Sequence, residues 1–162
     1  RQFRQGHLVS TIQSALAESG LEAERLELEL TESTIMGHGQ EFVGMLAELK
    51  KLGVRVAIDD FGTGYSNLSY LSRFPIDSLK IDRSFVSEVA TDQQHALLAQ
   101  AVISLGHSLR LKVVAEGVET AEQLDFLRHH GCDEVQGYFF SKPVPPDEFT
   151  RMLARWPKAA AS

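Results

Sequence analysis

Cysteine is almost missing from this chain: Cys132 is the single one in 162 residues, so no internal disulfide can staple the fold. Long apolar runs are missing too, and none approaches the ~20 residues that a membrane-spanning helix needs. Acidic residues outnumber Lys and Arg by 22 to 16, giving a formal net charge of -6 and a pI near 5.5. Without clustered basic residues there is no electrostatic footprint for a nucleic-acid polymer. The sequence has no Gly-x-Ser-x-Gly elbow, and Cys132 follows a helix stop without a nearby partner, which argues against nucleophilic acyl chemistry. Cys132 reads instead as a buried structural thiol. His7, His38, His95 and His107 are scattered and His129-His130 are adjacent near a helix end, so the histidines make no ligand set and are assigned to the surface. No signal peptide is apparent, and a cytoplasmic domain is expected; the opening Arg1-Gln2-Phe3, without a methionine, reads as the start of a piece of something longer.

What is present is enough apolar matter, 43% of the residues, for one compact domain spanning 1–162. Leu8, Ile12, Ala15 and Leu16 recur at helical spacing within His7 to Ser19, and Gly20 supplies a stop. Leu26-Glu27-Leu28-Glu29-Leu30 alternates strictly and predicts a strand, with Thr31-Glu32-Ser33 as the loop that breaks it. Phe42, Met45, Leu46, Leu49 and Leu52 mark an amphipathic helix ending at Gly53, and Val54 to Ile58 predicts a strand buried on both faces. A helical turn over Leu68 to Leu71 precedes a strand over Ser78 to Asp82. The pattern then repeats: a helix from Gln94 to Leu109, a strand over Lys112 to Ala115, a helix capped by Thr120 and stopped at Gly131, and a short strand within Asp133 to Phe139. A last helix spans Asp147 to Trp156.

Five strand-helix units in succession predict a parallel sheet. An open doubly wound sheet usually carries a glycine-rich phosphate turn after its first strand, and none follows Leu30. A (β/α)8 TIM-like barrel instead collects functional groups at the C-terminal ends of many strands. That is where Glu29, Asp59, Asp60, Lys80, Asp82, Glu116 and Gln136 fall. The expected fold is therefore α/β, a (β/α)8 barrel represented by about five of its eight units.

Carboxylates converging from separate strands repel unless protonated or neutralised, and an oxygen-only donor set suits Mg²⁺ or Mn²⁺ rather than zinc. Two such ions roughly 3.5–4 Å apart can share a bridging carboxylate and clamp a phosphoryl transfer; Asp59, at the strand lip, is the natural bridge. Lys80 in the same layer suits orienting a hydroxide or offsetting phosphate charge, and a salt bridge to a neighbouring carboxylate is an equally good reading of it. Phe61, Tyr65 and Tyr70 have the chemistry to stack on a base, although aromatic residues beside a loop more often pack it down.

Five motifs then carry a resemblance. Glu29-Leu30-Thr31-Glu32, Asp59-Asp60-Phe61-Gly62-Thr63-Gly64-Tyr65-Ser66, Leu79-Lys80-Ile81-Asp82, Ala115-Glu116-Gly117-Val118-Glu119 and Gln136-Gly137-Tyr138-Phe139-Phe140 resemble, in order and spacing, the EAL-domain cyclic di-GMP phosphodiesterases of bacteria. The resemblance runs from Arg1 to Trp156. It implies a modified (β/α)8 barrel that hydrolyses cyclic di-GMP to linear pGpG with two Mg²⁺ or Mn²⁺ ions. It further implies that Glu29, Asp59, Asp60 and Glu116 are metal ligands, with Asp59 bridging, Glu116 also the candidate base and Lys80 the water-orienting cation. Glu32 resembles the glutamate that braces the loop after Asp60, while Asp82, Glu119 and Gln136 would support site or substrate. That loop, with Gly62 and Gly64, resembles the family segment coupling metal binding to homodimerisation; Asn67 stands where Ser is common.

The family's naming Glu-Ala-Leu motif and the Asn of its Asn-Leu-Ser strand are not in this sequence. Three strands and two ligands are thus missing, and the chain reads as the C-terminal part of an EAL domain, expected to be inactive alone. GGDEF or sensory domains are expected in the parent, and a membrane tether there is compatible with a cytoplasmic domain. The alternatives in other classes are a noncatalytic cyclic di-GMP receptor and a dimerisation module.

Overall fold

Alternation in Glu27-Leu28-Glu29-Leu30-Thr31 produces the first strand, β1 (Glu27–Thr31), with Leu30 buried and the glutamates on the exposed side. The structure, a computed structural model, describes residues 7–37, 39–62, 71 and 73–156, without side-chain placement for 36, 37 and 39–41. Before β1 comes α1 (His7–Ser19) and after it α2 (Glu32–Gly37) and α3 (Gly39–Lys51). Then follow β2 (Arg55–Phe61), β3 (Ser78–Ile81), α4 (Arg83–Val86), α5 (Gln93–Ser108), β4 (Lys112–Glu116), α6 (Ala121–His129), β5 (Glu134–Gln136) and α7 (Pro146–Arg155).

The five strands are all parallel, and their order in the sheet is β1-β2-β3-β4-β5. Spatial order following chain order, without the reversal that defines a doubly wound sheet, is the winding of a (β/α) barrel. The fold class is the one expected, an α/β barrel-type sheet.

Val54, Val56, Ala57 and Ile58 are all at most 1% exposed, so β2 is buried on both faces as its composition predicts. Leu46 and Leu49 from α3, Leu79 and Ile81 from β3, Ile103 from α5, Val113 from β4 and Leu127 from α6 complete the core. Burial of each such side chain stabilises by about 1.5–3 kcal/mol. An exposed ion pair such as Arg25–Glu22 contributes about 0–1 kcal/mol, so packing dominates. Gly106 lets α5 press on β4, because a Cβ there would lie 2.3 Å from Cγ2 of Val113.

Four expectations need correction. Thr31-Glu32-Ser33 is not a loop: Glu32 opens α2, where the Thr31 hydroxyl meets that of Thr34 at 2.8 Å and Glu32 places negative charge in the first turn. And β2 does not stop at Ile58 but runs through Asp59 and Asp60 to the buried Phe61. Asp82 leaves β3 to become the cap of α4. The expected helical turn before β3 and His38 lie outside the described residues, apart from Leu71. Of the described histidines, His7, His107 and His129 are exposed, while His95 and His130 are half-buried, contrary to a wholly surface assignment. Thr120 caps α6 through a full capping box with Gln123.

At the strand entrances, two aspartates stitch neighbours together. Asp77 accepts from the Val56 amide at 2.8 Å and from Lys50, and Asp133 accepts from the Val113 amide at 2.8 Å. Each sits just before one strand and holds the adjacent one, fixing register at the end opposite the acidic cluster. No helix among the described residues is long and apolar enough to cross a membrane.

Candidate active site

Adjacent residues of a regular strand point to opposite faces. Asp59 and Asp60 escape this rule through a bulge. Ile58 pairs with Leu79 and Phe61 with Ile81, so two residues of β2 oppose the single Lys80 of β3. Asp60 takes up the extra residue in the left-handed region, φ +53°, which Asp tolerates better than most residues. Carboxylate oxygens of Asp59, Asp60 and Glu116 consequently come within 4.8 Å of one another.

Lys80 stands among these groups. Its Nζ lies 2.6 Å from Oε1 of Glu29, 2.6 Å from Oε1 of Glu116 and 3.2 Å from Oδ1 of Asp59, so carboxylates from β1, β2 and β4 converge on one ammonium from β3. Burial by itself would lower the pKa of Lys80, but the carboxylates of Glu116, Glu29 and Asp59 around its ammonium hold it well above the ordinary lysine value. Lys80 is thus ion-paired, the second of its two sequence readings, and it sits in the layer of the acidic cluster.

Asp60 is pushed above the usual carboxylate range by burial, by the charges of Asp59 and Asp82 and by a hydrogen bond with Asp82, with Lys80 opposing. Burial would raise Asp82 as well, but the hydroxyl and amide of Ser84 donate to it and hold it below the ordinary value.

Glu32, 4% exposed, accepts a hydrogen bond at 3.1 Å from the amide of Gly62, which carries φ +100°. A Cβ on Gly62 would lie 2.9 Å from the Phe85 ring, so both conformation and space require glycine there. Gly64, with the rest of the loop through Tyr70, lies outside the described residues. Glu119 pairs with Arg83 at 2.8 Å. Together with Gln136 and Tyr138 they line a cleft of about 180 Å³ that reaches Glu116. Arg83 and the β2 bulge are what the sequence did not reveal: an exposed arginine has no distinguishing pattern, and no periodicity marks an inserted residue in a strand buried on both faces.

Asp59, Asp60 and Glu116 fit a divalent cation on the chemistry of their donors. All are carboxylate oxygens, as Mg²⁺ and Mn²⁺ prefer, and Oδ1 of Asp59 is buried without a hydrogen bond, because the nearby Lys80 ammonium lies off its bonding directions. Glu29, half-exposed and turned to Lys80, stands apart from that trio. A second group, Glu88, Asp92 and His95, clusters at the start of α5, where Asp92 caps the helix.

Known proteins are similar to this chain in sequence and in fold. Cyclic di-GMP phosphodiesterase NbdA of Pseudomonas aeruginosa is 51% identical over 138 residues, covering 85% of this chain and 18% of that protein. The structure of the PaMucR phosphodiesterase in complex with c-di-GMP superimposes with a TM-score of 0.87 at 44% identity, covering 91% of this chain and 60% of that one. The Klebsiella pneumoniae BlrP1 manganese and cy-diGMP complex at pH 9.0 gives a TM-score of 0.77 at 35% identity, covering 83% of this chain and 34% of that one. The chain therefore spans about a fifth of the length of curated relatives such as NbdA. The family description "EAL domain" matches residues 1–143, and with 51% identity to NbdA the chain belongs to the EAL domain family.

Proposed function

We propose that this chain forms the C-terminal part of a cyclic di-GMP phosphodiesterase domain that hydrolyses one phosphodiester of the cyclic dinucleotide to linear pGpG, using two Mg²⁺ or Mn²⁺ ions. The convergence of Asp59, Asp60 and Glu116 within 4.8 Å is the observation that carries the reading. It is supported by relatives named as cyclic di-GMP phosphodiesterases and by relatives solved with calcium or manganese and the cyclic dinucleotide.

The bound ions would supply Lewis acidity and ready water for attack on phosphorus. Asp59, Asp60 and Glu116 would hold the ions, with Glu29 as a further candidate ligand from this chain, and Glu116 would accept the proton of the attacking water. Lys80, a compact cation among three carboxylates, orients that water. One P–O bond forms to the water oxygen and the P–O bond to the leaving ribose oxygen breaks. Glu32 braces the exit of β2 through Gly62, Asp82 limits the freedom of Asp60, and Glu119 and Gln136 position substrate beside Glu116. The loop containing Gly62 and Gly64 serves homodimerisation, and the parent carries GGDEF or sensory domains, as the bifunctional cyclase and phosphodiesterase name of MucR suggests for that relative. The expected location is cytoplasmic.

The test is turnover by the chain extended upstream to a complete EAL domain. Mg²⁺- or Mn²⁺-dependent formation of pGpG, lost in Asp59→Asn and Glu116→Gln, is expected. Absence of turnover in the extended wild-type domain would refute the reading. The 162-residue chain alone is expected to show no turnover.

A further inference from the structure

The arrangement of Lys80 has a consequence for metal uptake. Two of the three carboxylates that fit a divalent ion, Asp59 and Glu116, already face its ammonium, at 3.2 and 2.6 Å. An ammonium has three donors, and here Glu29, Asp59 and Glu116 surround them. A divalent ion entering between Asp59, Asp60 and Glu116 meets a resident positive charge on two of the same carboxylates. Like charges a few ångströms apart, one of them 5% exposed and therefore little screened, cannot both keep these contacts.

The surroundings also provide a way out. Glu29 is 49% exposed in its side chain, against 23% for Asp59 and 21% for Glu116. The open side of the lysine contact is thus the β1 side, away from the trio. Lys80 has a four-carbon stem with rotatable bonds and can swing toward β1 without moving the backbone of β3.

We propose that Lys80 is the counter-cation of the metal-free site: it holds Asp59 and Glu116 in place in the absence of metal, competes with the incoming divalent ion, and gives up both contacts when that ion binds. This rests on the divalent site of the proposed function and goes beyond it, because it makes Lys80 a brake on metal affinity as well as a positioning residue. Removing the ammonium weakens the metal-free fold and strengthens metal binding, whereas a residue that only positions water would leave metal affinity unchanged or weaken it.

The test uses the full chain, with Mn²⁺ as the probe followed by electron paramagnetic resonance and melting followed in chelator. Lys80→Met and Lys80→Gln are expected to melt below wild type in chelator and to bind Mn²⁺ at least tenfold more tightly, while Lys80→Arg, which keeps the charge, stays within about threefold of wild type. Nitrogen-15 spectra of the wild-type lysine ammonium groups provide a readout that needs no variant. A protected Lys80 signal in chelator is expected to disappear at saturating Mg²⁺. Equal or weaker Mn²⁺ binding by Lys80→Met and Lys80→Gln, or a Lys80 signal unchanged at metal saturation, overturns the proposal. If wild type binds Mn²⁺, Asp59→Asn does not and the lysine variants match wild type, the displacement falls and the metal site stands. If neither wild type nor the lysine variants take up Mn²⁺, both fall together.

Discussion

The amide of Gly62 donates to Oε2 of Glu32 at 3.1 Å, tying the exit of β2 to the first residue of α2. A nearly buried carboxylate thereby anchors the backbone two residues beyond Asp60. Replacing it with alanine removes the acceptor from a half-buried amide and leaves a void. Glu32→Ala is expected to lower stability by about 1–3 kcal/mol and to weaken Mn²⁺ binding, while Glu32→Gln, which keeps an acceptor, avoids more than half of that loss. Chemical denaturation and Mn²⁺ titration of the two variants check this.

Gly62 makes a sharper case. Its φ of +100° and the 2.9 Å separation of a built Cβ from the Phe85 ring mean that any side chain is both strained and crowded. Gly62→Ala is expected to cost about 1–3 kcal/mol by thermal or chemical denaturation. Trimming the ring in Gly62→Ala/Phe85→Leu should recover part of the effect, leaving the backbone component.

The pattern of apolar residues revealed most of the fold. The alternation in Glu27 to Thr31, the doubly buried run from Val54 and the Thr120 cap all reproduce, because each depends on neighbours in sequence. Glu32 was misread as loop because a helix beginning directly at a strand end carries no period of its own in one turn. The acidic cluster was legible as residue types at strand ends. Its geometry was not, since the bulge that brings Asp59 and Asp60 together is set by the pairing of β2 with β3, and Lys80 opposes them only through that pairing. Asp77 and Asp133 were missed for the same reason: an aspartate before a strand reads as a turn residue until the amide of the neighbouring strand is placed against it.

Asp60 stands above the normal carboxylate range, so its ionisation opposes folding. The contribution of its protonated form is fully present below the unfolded pKa and is lost as pH rises through the higher folded value. At neutral pH in chelator, Asp60→Asn is expected to stabilise the chain by roughly 0.5 kcal/mol by removing like-charge contacts, since Asn also tolerates the left-handed backbone. Added Mn²⁺ should reverse that order, because the wild type gains a ligand the variant lacks. Melting curves with and without metal check both signs.

Cys132 offers a separate test. Its thiol donates to the carbonyls of Glu134 at 3.2 Å and Val113 at 3.5 Å, and burial pushes it up from 9.0 to about 11. The associated stability is present below pH 9.0 and lost as pH rises toward about 11. Stability of wild type relative to Cys132→Ala should fall by on the order of 2 kcal/mol across that window. At neutral pH a disulfide reagent should modify the thiol slowly until the chain is unfolded.

Mn²⁺ binding to the full chain, compared between wild type and Asp59→Asn by electron paramagnetic resonance, decides whether the acidic cluster at the end of β2 is a metal site. Asp59, Asp60 and Glu116 gather their oxygens within 4.8 Å, and Asp59 holds a buried oxygen without a hydrogen bond. Saturable binding of Mn²⁺ by wild type, weakened at least tenfold in Asp59→Asn while the variant keeps its folded signature, is the result expected. Identical titrations for the two proteins would contradict a metal site at the end of β2.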